Sequence, residues 1–86
     1  MENLHYTYIL RCADGSFYCG YTVDLLRRLA AHQAGKGSKC TRSRLPVELV
    51  YWEKYYEKGT ALSREAELKK LSHLKKAELV REFKLT

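Results

Sequence analysis

Glu65 is the residue whose position most needs a chemical explanation. In the segment ALSREAELKKLS, Ala61, Leu62, Ala66, Leu68 and Leu71 mark the apolar stripe of a helix, because successive residues rotate by about 100°. Glu65 falls near the middle of that stripe and Glu67 nearly opposite. A carboxylate on an apolar face is costly unless a Lys, an Arg or a bound cation compensates it. Lys69 lies one turn on, on the same side, and reads either as the salt-bridge partner of Glu65 or as a phosphate contact. In DLLRRLAAHQA, Leu25, Leu26 and Leu29 define a second stripe. Arg28 and His32 stand one turn apart on its edge, while Arg27 points to the far side as an ordinary solvated arginine. Taken singly, Arg28 is a packed stem with its head in water, and His32 an imidazole favoured by a helix C-terminus. Tyr6 and Tyr8 share a strand face, with Tyr18 on the next apolar run. They read as sheet core or as a row of phenols at a cleft. Carboxylate, guanidinium and imidazole together would suit a site for one divalent metal and a phosphate.

Local signals say which elements carry these groups. YTYILRC at Tyr6–Cys12 and FYCGYT at Phe17–Thr22 are β-prone runs around the turn Ala13-Asp14-Gly15-Ser16, the pattern of a β-hairpin. Thr22 or Asp24 caps the first helix and Gly35 stops it. Gly35–Arg44 is expected to be a polar loop. Its Lys36, Lys39, Arg42 and Arg44 would hold flanking phosphates or simply be solvated on a mobile segment. VELVYWEKYY reads as a third strand. Gly59 and Thr60 open a second helix, and Ser72 caps a third. The expected order is β-β-α-β-α-α, an α+β fold with a small three-stranded sheet flanked by helices, in one domain over residues 1–86.

The chain has 86 residues and a formal net charge of +6 from 16 Lys and Arg against 10 Asp and Glu. Such a basic excess attracts polyanions, nucleic acid first and an anionic membrane second. Cys12, Cys19 and Cys40 are odd in number and lack C-x-x-C spacing, which argues against a disulfide framework and a thiolate zinc site. His5, His32 and His73 match no ligand signature either. Met1-Glu2-Asn3 does not open a secretory signal, and no apolar run approaches the length of a bilayer span. A cytoplasmic protein without membrane contact, monomeric by preference, is expected.

The ordered set Tyr6-Thr7-Tyr8, Tyr18-Cys19-Gly20, Gly20-Tyr21-Thr22-Val23-Asp24-Leu25 leading to Arg28 and His32, and Ala61-Leu62-Ser63-Arg64-Glu65 resembles the GIY-YIG nuclease superfamily. It is most similar to the small stand-alone bacterial branch (UPF0213-like), which is related to structure-specific endonucleases. Tyr6 stands where the family motif has its first glycine. Cys19 stands for the aliphatic residue of the second motif and is a hydrophobe of suitable size. The resemblance implies a mixed three-stranded sheet and phosphodiester hydrolysis with one divalent cation, Mg2+ or Mn2+, held by Glu65. It assigns Tyr8 and Tyr18 to the two motif tyrosines, Arg28 to the phosphate, His32 to the active site and Gly20 to a close backbone approach. Tyr18 is favoured as the group that activates water, with Tyr8 assisting. The implied partner is nucleic acid, DNA before RNA. Lys36, Lys39, Arg42, Arg44 and Lys69 are candidate backbone contacts. Two other readings use the same residues without turnover: a nucleic-acid-binding module, and an interaction subunit of a repair complex presenting Tyr51, Trp52, Tyr55 and Tyr56.

Overall fold

The computed structural model describes residues 4–85. Strand β1 (His5–Cys12) and strand β2 (Phe17–Thr22) form the expected hairpin. At its turn the Asp14 carboxylate accepts from the Ser16 amide at 3.0 Å and the Ser16 hydroxyl at 2.6 Å. Gly15 takes φ +86°, where a side chain would be strained. Helix α1 (Leu25–Gln33) starts at Asp24, whose side chain accepts from the Arg27 amide. The chain leaves α1 through Gly35 at φ +78°. Helix α2 (Lys39–Arg42), strand β3 (Val47–Tyr55), helix α3 (Lys58–Lys70) and helix α4 (His73–Leu85) complete the order.

The expected α+β arrangement holds, with two differences. The sheet has order β2-β1-β3 and both pairings are antiparallel, where a mixed sheet was implied. Because β1 is central, β2 and β3 run in the same direction without being adjacent. The second difference is α2, a short turn of helix inside the segment expected to be a polar loop. Ser38 makes it by accepting from the Thr41 amide at 3.1 Å.

The central strand is buried on both faces, so Thr7, Tyr8, Ile9 and Leu10 are buried in succession. One face carries Tyr8, Leu10 and Cys12 with Val47, covered by Leu25 and Leu29 of α1. The other carries Ile9, Cys19, Val50 and Tyr51, covered by Leu68 of α3 and by Val80 and Phe83 of α4. Thr7 ties α3 to β1, its hydroxyl donating to the Ala61 carbonyl at 2.6 Å.

Helix rotation departs from expectation in detail. The stripe of α1 runs Leu25, Leu29, His32, at i, i+4 and i+7, and Leu26 is 77% exposed. In α3 the buried positions are Ala61 and Leu68, with half-buried Glu65 between them. Leu62 and Ala66 face outward. Lys58 begins α3, and Gly59 and Thr60 lie within its first turn rather than opening it. Ser72 caps α4 as expected, accepting from the Lys75 amide at 3.2 Å. Among the described residues all three cysteines are free thiols, and no helix is long and apolar enough to cross a membrane.

Candidate active site

Tyr8 sits at the middle of the site because the register places it opposite Gly20 on β2. A Cβ at Gly20 would lie 2.4 Å from the Tyr8 hydroxyl, so only glycine admits the ring there. The phenol reaches α1, where its oxygen lies 3.0 Å from His32 Nε2 and accepts from Arg28 Nε at 3.4 Å. Tyr18 stands edge-on to the His32 ring, with centroids 5.2 Å apart, and its ring lies 6.5 Å from that of Tyr8. Four of the residues expected at the site therefore meet: Tyr8, Tyr18, Arg28 and His32.

His32 is wholly buried and uses both ring nitrogens, Nε2 toward Tyr8 and Nδ1 toward the Thr41 hydroxyl at 2.8 Å. Burial, and then the nearby Arg28 charge, lower its pKa, so the imidazole is neutral at pH 7. Burial is also the largest cause raising the Tyr8 pKa. The Arg28 hydrogen bond opposes it, and the fields of Tyr18 and Glu65 add to it. Tyr8 is thus a neutral phenol within electrostatic reach of Arg28, Tyr18 and Glu65. Arg28 is held at two points, by Tyr8 and by the Gly37 carbonyl, to which Nη2 donates at 2.9 Å. The Tyr8 hydrogen bond is the main cause of its raised pKa, with Tyr18 adding to it, and the guanidinium remains charged.

Glu65 comes from the other face of the sheet. Its carboxylate is 20% exposed and pairs with Lys69 at 3.5 Å. The sequence left Lys69 as salt-bridge partner or phosphate contact, and here it is the partner. Glu65 contributes a hard oxygen donor. Among the described residues no three His, Cys, Asp or Glu side chains cluster as a metal site. That donor set fits a cation that keeps most of its water, such as magnesium, and does not fit a closed zinc site. The three histidines lie apart, His5 on Tyr21 and His73 stacked on Phe17.

An open cleft of about 470 Å³ lies beside Arg28, lined by Thr22, Val23, Asp24, Arg27, Arg28 and Ala31. Arg27 is exposed, as expected, yet it lines the same cleft as Arg28 instead of pointing away from it. Lys36, Lys39 and Arg42 are exposed, on and before α2. Arg44 is engaged elsewhere, bonded to Asp14 of the hairpin turn at 3.1 Å. Of the four aromatics offered for an interaction surface, Tyr51 is core. The Tyr51 and Tyr55 hydroxyls both donate to Glu53, and Trp52 packs on Phe83. Sequence reasoning missed Gly37, Ser38 and Thr41. The usable signal was Ser38 three residues before Thr41, an N-cap pattern.

Residues 4–78 match the GIY-YIG catalytic domain. A UPF0213 protein of Natronomonas pharaonis is 53% identical over 76 residues, covering 88% of this chain and 89% of that protein. Another, of Streptococcus sanguinis, is 51% identical over 82 residues, covering 95% and 94% respectively. Among solved structures, the NMR structure of a UPF0213 protein from Bacillus halodurans aligns with TM-score 0.58 at 49% identity, over 91% of this chain and 83% of that one. A second, from E. faecalis, gives TM-score 0.63 at 42% identity, over 100% and 94%.

Proposed function

Because the chain belongs to the GIY-YIG catalytic-domain family, which implies nuclease-type activity, we propose that it is an endonuclease hydrolysing phosphodiester bonds of DNA, with one divalent cation at Glu65. The observation that carries this reading is the Tyr8 hydroxyl, held between Arg28 Nε and His32 Nε2 and within the fields of Tyr18 and Glu65.

Arg28 binds a non-bridging phosphate oxygen with the N–H groups left free by Tyr8 and Gly37. It stabilises the charge that grows there as the water oxygen attacks phosphorus. Tyr8 takes the proton of that water and passes its own to His32 Nε2, which is neutral and able to accept it. The bond from phosphorus to the leaving oxygen then breaks, and that oxygen takes a proton from water in the cleft. Geometry supports Tyr8 over Tyr18 for this transfer, since Tyr8 has an imidazole acceptor behind it. When bound at Glu65, a divalent cation supplies further charge neutralisation at the phosphate. Arg27 and the exposed Lys36, Lys39 and Arg42 hold neighbouring phosphates, which fixes the strand without reading its bases.

The binding-module reading is favoured by one observation, the Lys69 ammonium that already compensates Glu65. That pair is weak opposition to a divalent cation. Lys69 is more than half exposed, and helix pairs at i,i+4 contribute only about 0.3–0.5 kcal/mol. The deciding experiment is cleavage of labelled single-stranded, duplex and branched DNAs, with RNA counterparts, in Mg2+ or EDTA, beside Glu65→Gln. Cutting that needs Mg2+ and is lost in Glu65→Gln is expected. Binding without cutting, unchanged by Glu65→Gln, would establish the binding module instead.

A further inference from the structure

The segment Gly37–Arg42 carries two exposed basic residues, Lys39 and Arg42, on its outer side and closes over the active-site imidazole on its inner side. Thr41 is wholly buried although it stands on a one-turn surface helix. A Cβ at Gly37 would fall 2.1 Å from His32 Nδ1, so the backbone passes directly over the ring. The same Gly37 anchors Arg28 through its carbonyl.

The protons in this network can be assigned. Tyr8 is 2% exposed, and a buried hydroxyl must donate to something. Among the described residues its hydroxyl has two hydrogen-bond partners, Arg28 and His32. A guanidinium only donates, so the phenol proton goes to His32 Nε2. A neutral imidazole with a bare Nε2 carries its proton on Nδ1, and Nδ1 faces Thr41 Oγ1. Thr41 therefore accepts from His32, and its own proton has acceptors on Ser38, the hydroxyl oxygen at 3.1 Å and the carbonyl at 3.4 Å. Each donor then has an acceptor. With the opposite tautomer, three protons would crowd the Tyr8 oxygen and the phenol proton would have none.

We propose that Thr41 is a positioning residue: its hydroxyl accepts the Nδ1–H of His32 and so holds the ring with its bare Nε2 on the Tyr8 hydroxyl. Ser38 holds Thr41 in place by capping α2, and Gly37 leaves room for the ring. The groups facing His32 are Arg28 from α1, Tyr8 from β1, Tyr18 from β2 and Thr41 from α2. Arg28 alone among them carries a charge at pH 7. The role of Thr41 in turnover rests on the nuclease reading. The tautomer assignment does not, and it is measurable without any substrate.

The test is 15N–1H correlation NMR of the His32 ring in the wild type, Thr41→Val and Thr41→Ser, with cleavage kinetics against pH on the same samples. The wild type and Thr41→Ser are expected to show the proton on Nδ1 with the downfield shift of a hydrogen bond to residue 41, and Thr41→Val to lose that shift. Thr41→Val should lower kcat by about tenfold to a hundredfold, less than the roughly 10²–10⁴-fold that a general acid–base group itself supplies, with KM unchanged and Thr41→Ser restoring the rate. A wild-type ring protonated at Nε2 overturns the proposal, and so does a Thr41→Val variant whose Nδ1–H resonance and cleavage rate are both those of the wild type. Should Thr41→Val fail to fold, the wild-type and Thr41→Ser spectra decide the tautomer. A wild type with Nδ1–H that cuts no nucleic acid leaves the positioning role standing and removes the nuclease reading.

Discussion

The two faces of the sheet are covered in opposite ways. Under α3 and α4, Ile9, Cys19, Val50, Leu68 and Val80 form an apolar cluster. A part-buried charge cluster there, Glu53 with Arg64, Tyr51 and Tyr55, is paired internally. Under α1 and α2, the apolar residues stop at Leu25 and Leu29. A polar chain from Arg28 through Tyr8 and His32 to Thr41 continues inward. Both faces bury polar atoms with partners, and no buried side-chain polar atom among the described residues lacks one. The difference is what the partners leave over. Glu53 is saturated by three donors, whereas Arg28 retains free N–H groups beside an open cleft. The α3–α4 face thus supplies stability and, at Glu65, the carboxylate of the proposed site, while the α1–α2 face supplies that site's guanidinium and imidazole.

The comparison breaks first at Tyr8. Tyr8→Phe should cost about 10²–10⁴-fold in cleavage rate, the span of a general acid–base group, and Tyr18→Phe distinctly less. Equal losses in single-turnover assays would mean that the two phenols share the proton transfer. Leu68→Ala on the opposite face should cost about 2–5 kcal/mol of stability, with the rate per folded molecule retained. Urea unfolding read beside activity separates the two effects. A drop in rate at constant fraction folded would show that the faces are not independent.

Glu53→Gln is a smaller break, expected to destabilise by about 1–3 kcal/mol because it weakens the partner of the Arg64 guanidinium. It should also release Tyr51 and Tyr55. Their phenols are pushed up to about 12, by burial first and then by the Glu53 carboxylate. Ultraviolet titration of the variant should bring both down toward the ordinary tyrosine range, and an unshifted titration would refute the cluster's role.

The smallest effect is that of pH on His32. Its folded pKa lies below its unfolded value, so below pH 6.5 the unfolded chain takes up more protons than the folded one. The stability associated with a neutral His32 is therefore present above the unfolded pKa and is lost as pH falls through the folded one. Denaturation midpoints should decline as pH is lowered from 7 toward 5, and cleavage should lose rate over the same range. A flat profile in both would mean that His32 is not the acceptor.

The sequence by itself determined the hairpin, the α4 cap and the placing of Arg28 one turn before His32, and it narrowed the α1 cap to Thr22 or Asp24. Each rests on neighbours within a few residues: Asp14 and Gly15 at a turn, Asp24 and Ser72 at helix starts, and i,i+4 geometry. It also separated Glu65 from Glu67, since Glu65 lies between buried Ala61 and Leu68. It assigned α1 the stripe Leu25, Leu26, Leu29, because composition shows which residues are apolar and not which flank meets the sheet. Docking α1 through Leu25, Leu29 and His32 turned Leu26 outward and drew the imidazole into the core. Tertiary structure alone decided the rest. Antiparallel pairing of β3 on the other edge of β1 depends on where the chain returns after α2. The contact of Thr41 with His32 depends on a one-turn helix too short to show periodicity, folded back over a ring nine residues earlier. Whether a threonine hydroxyl lies in solvent or against an imidazole is set by that packing, and nothing in its own neighbourhood of the chain specifies it.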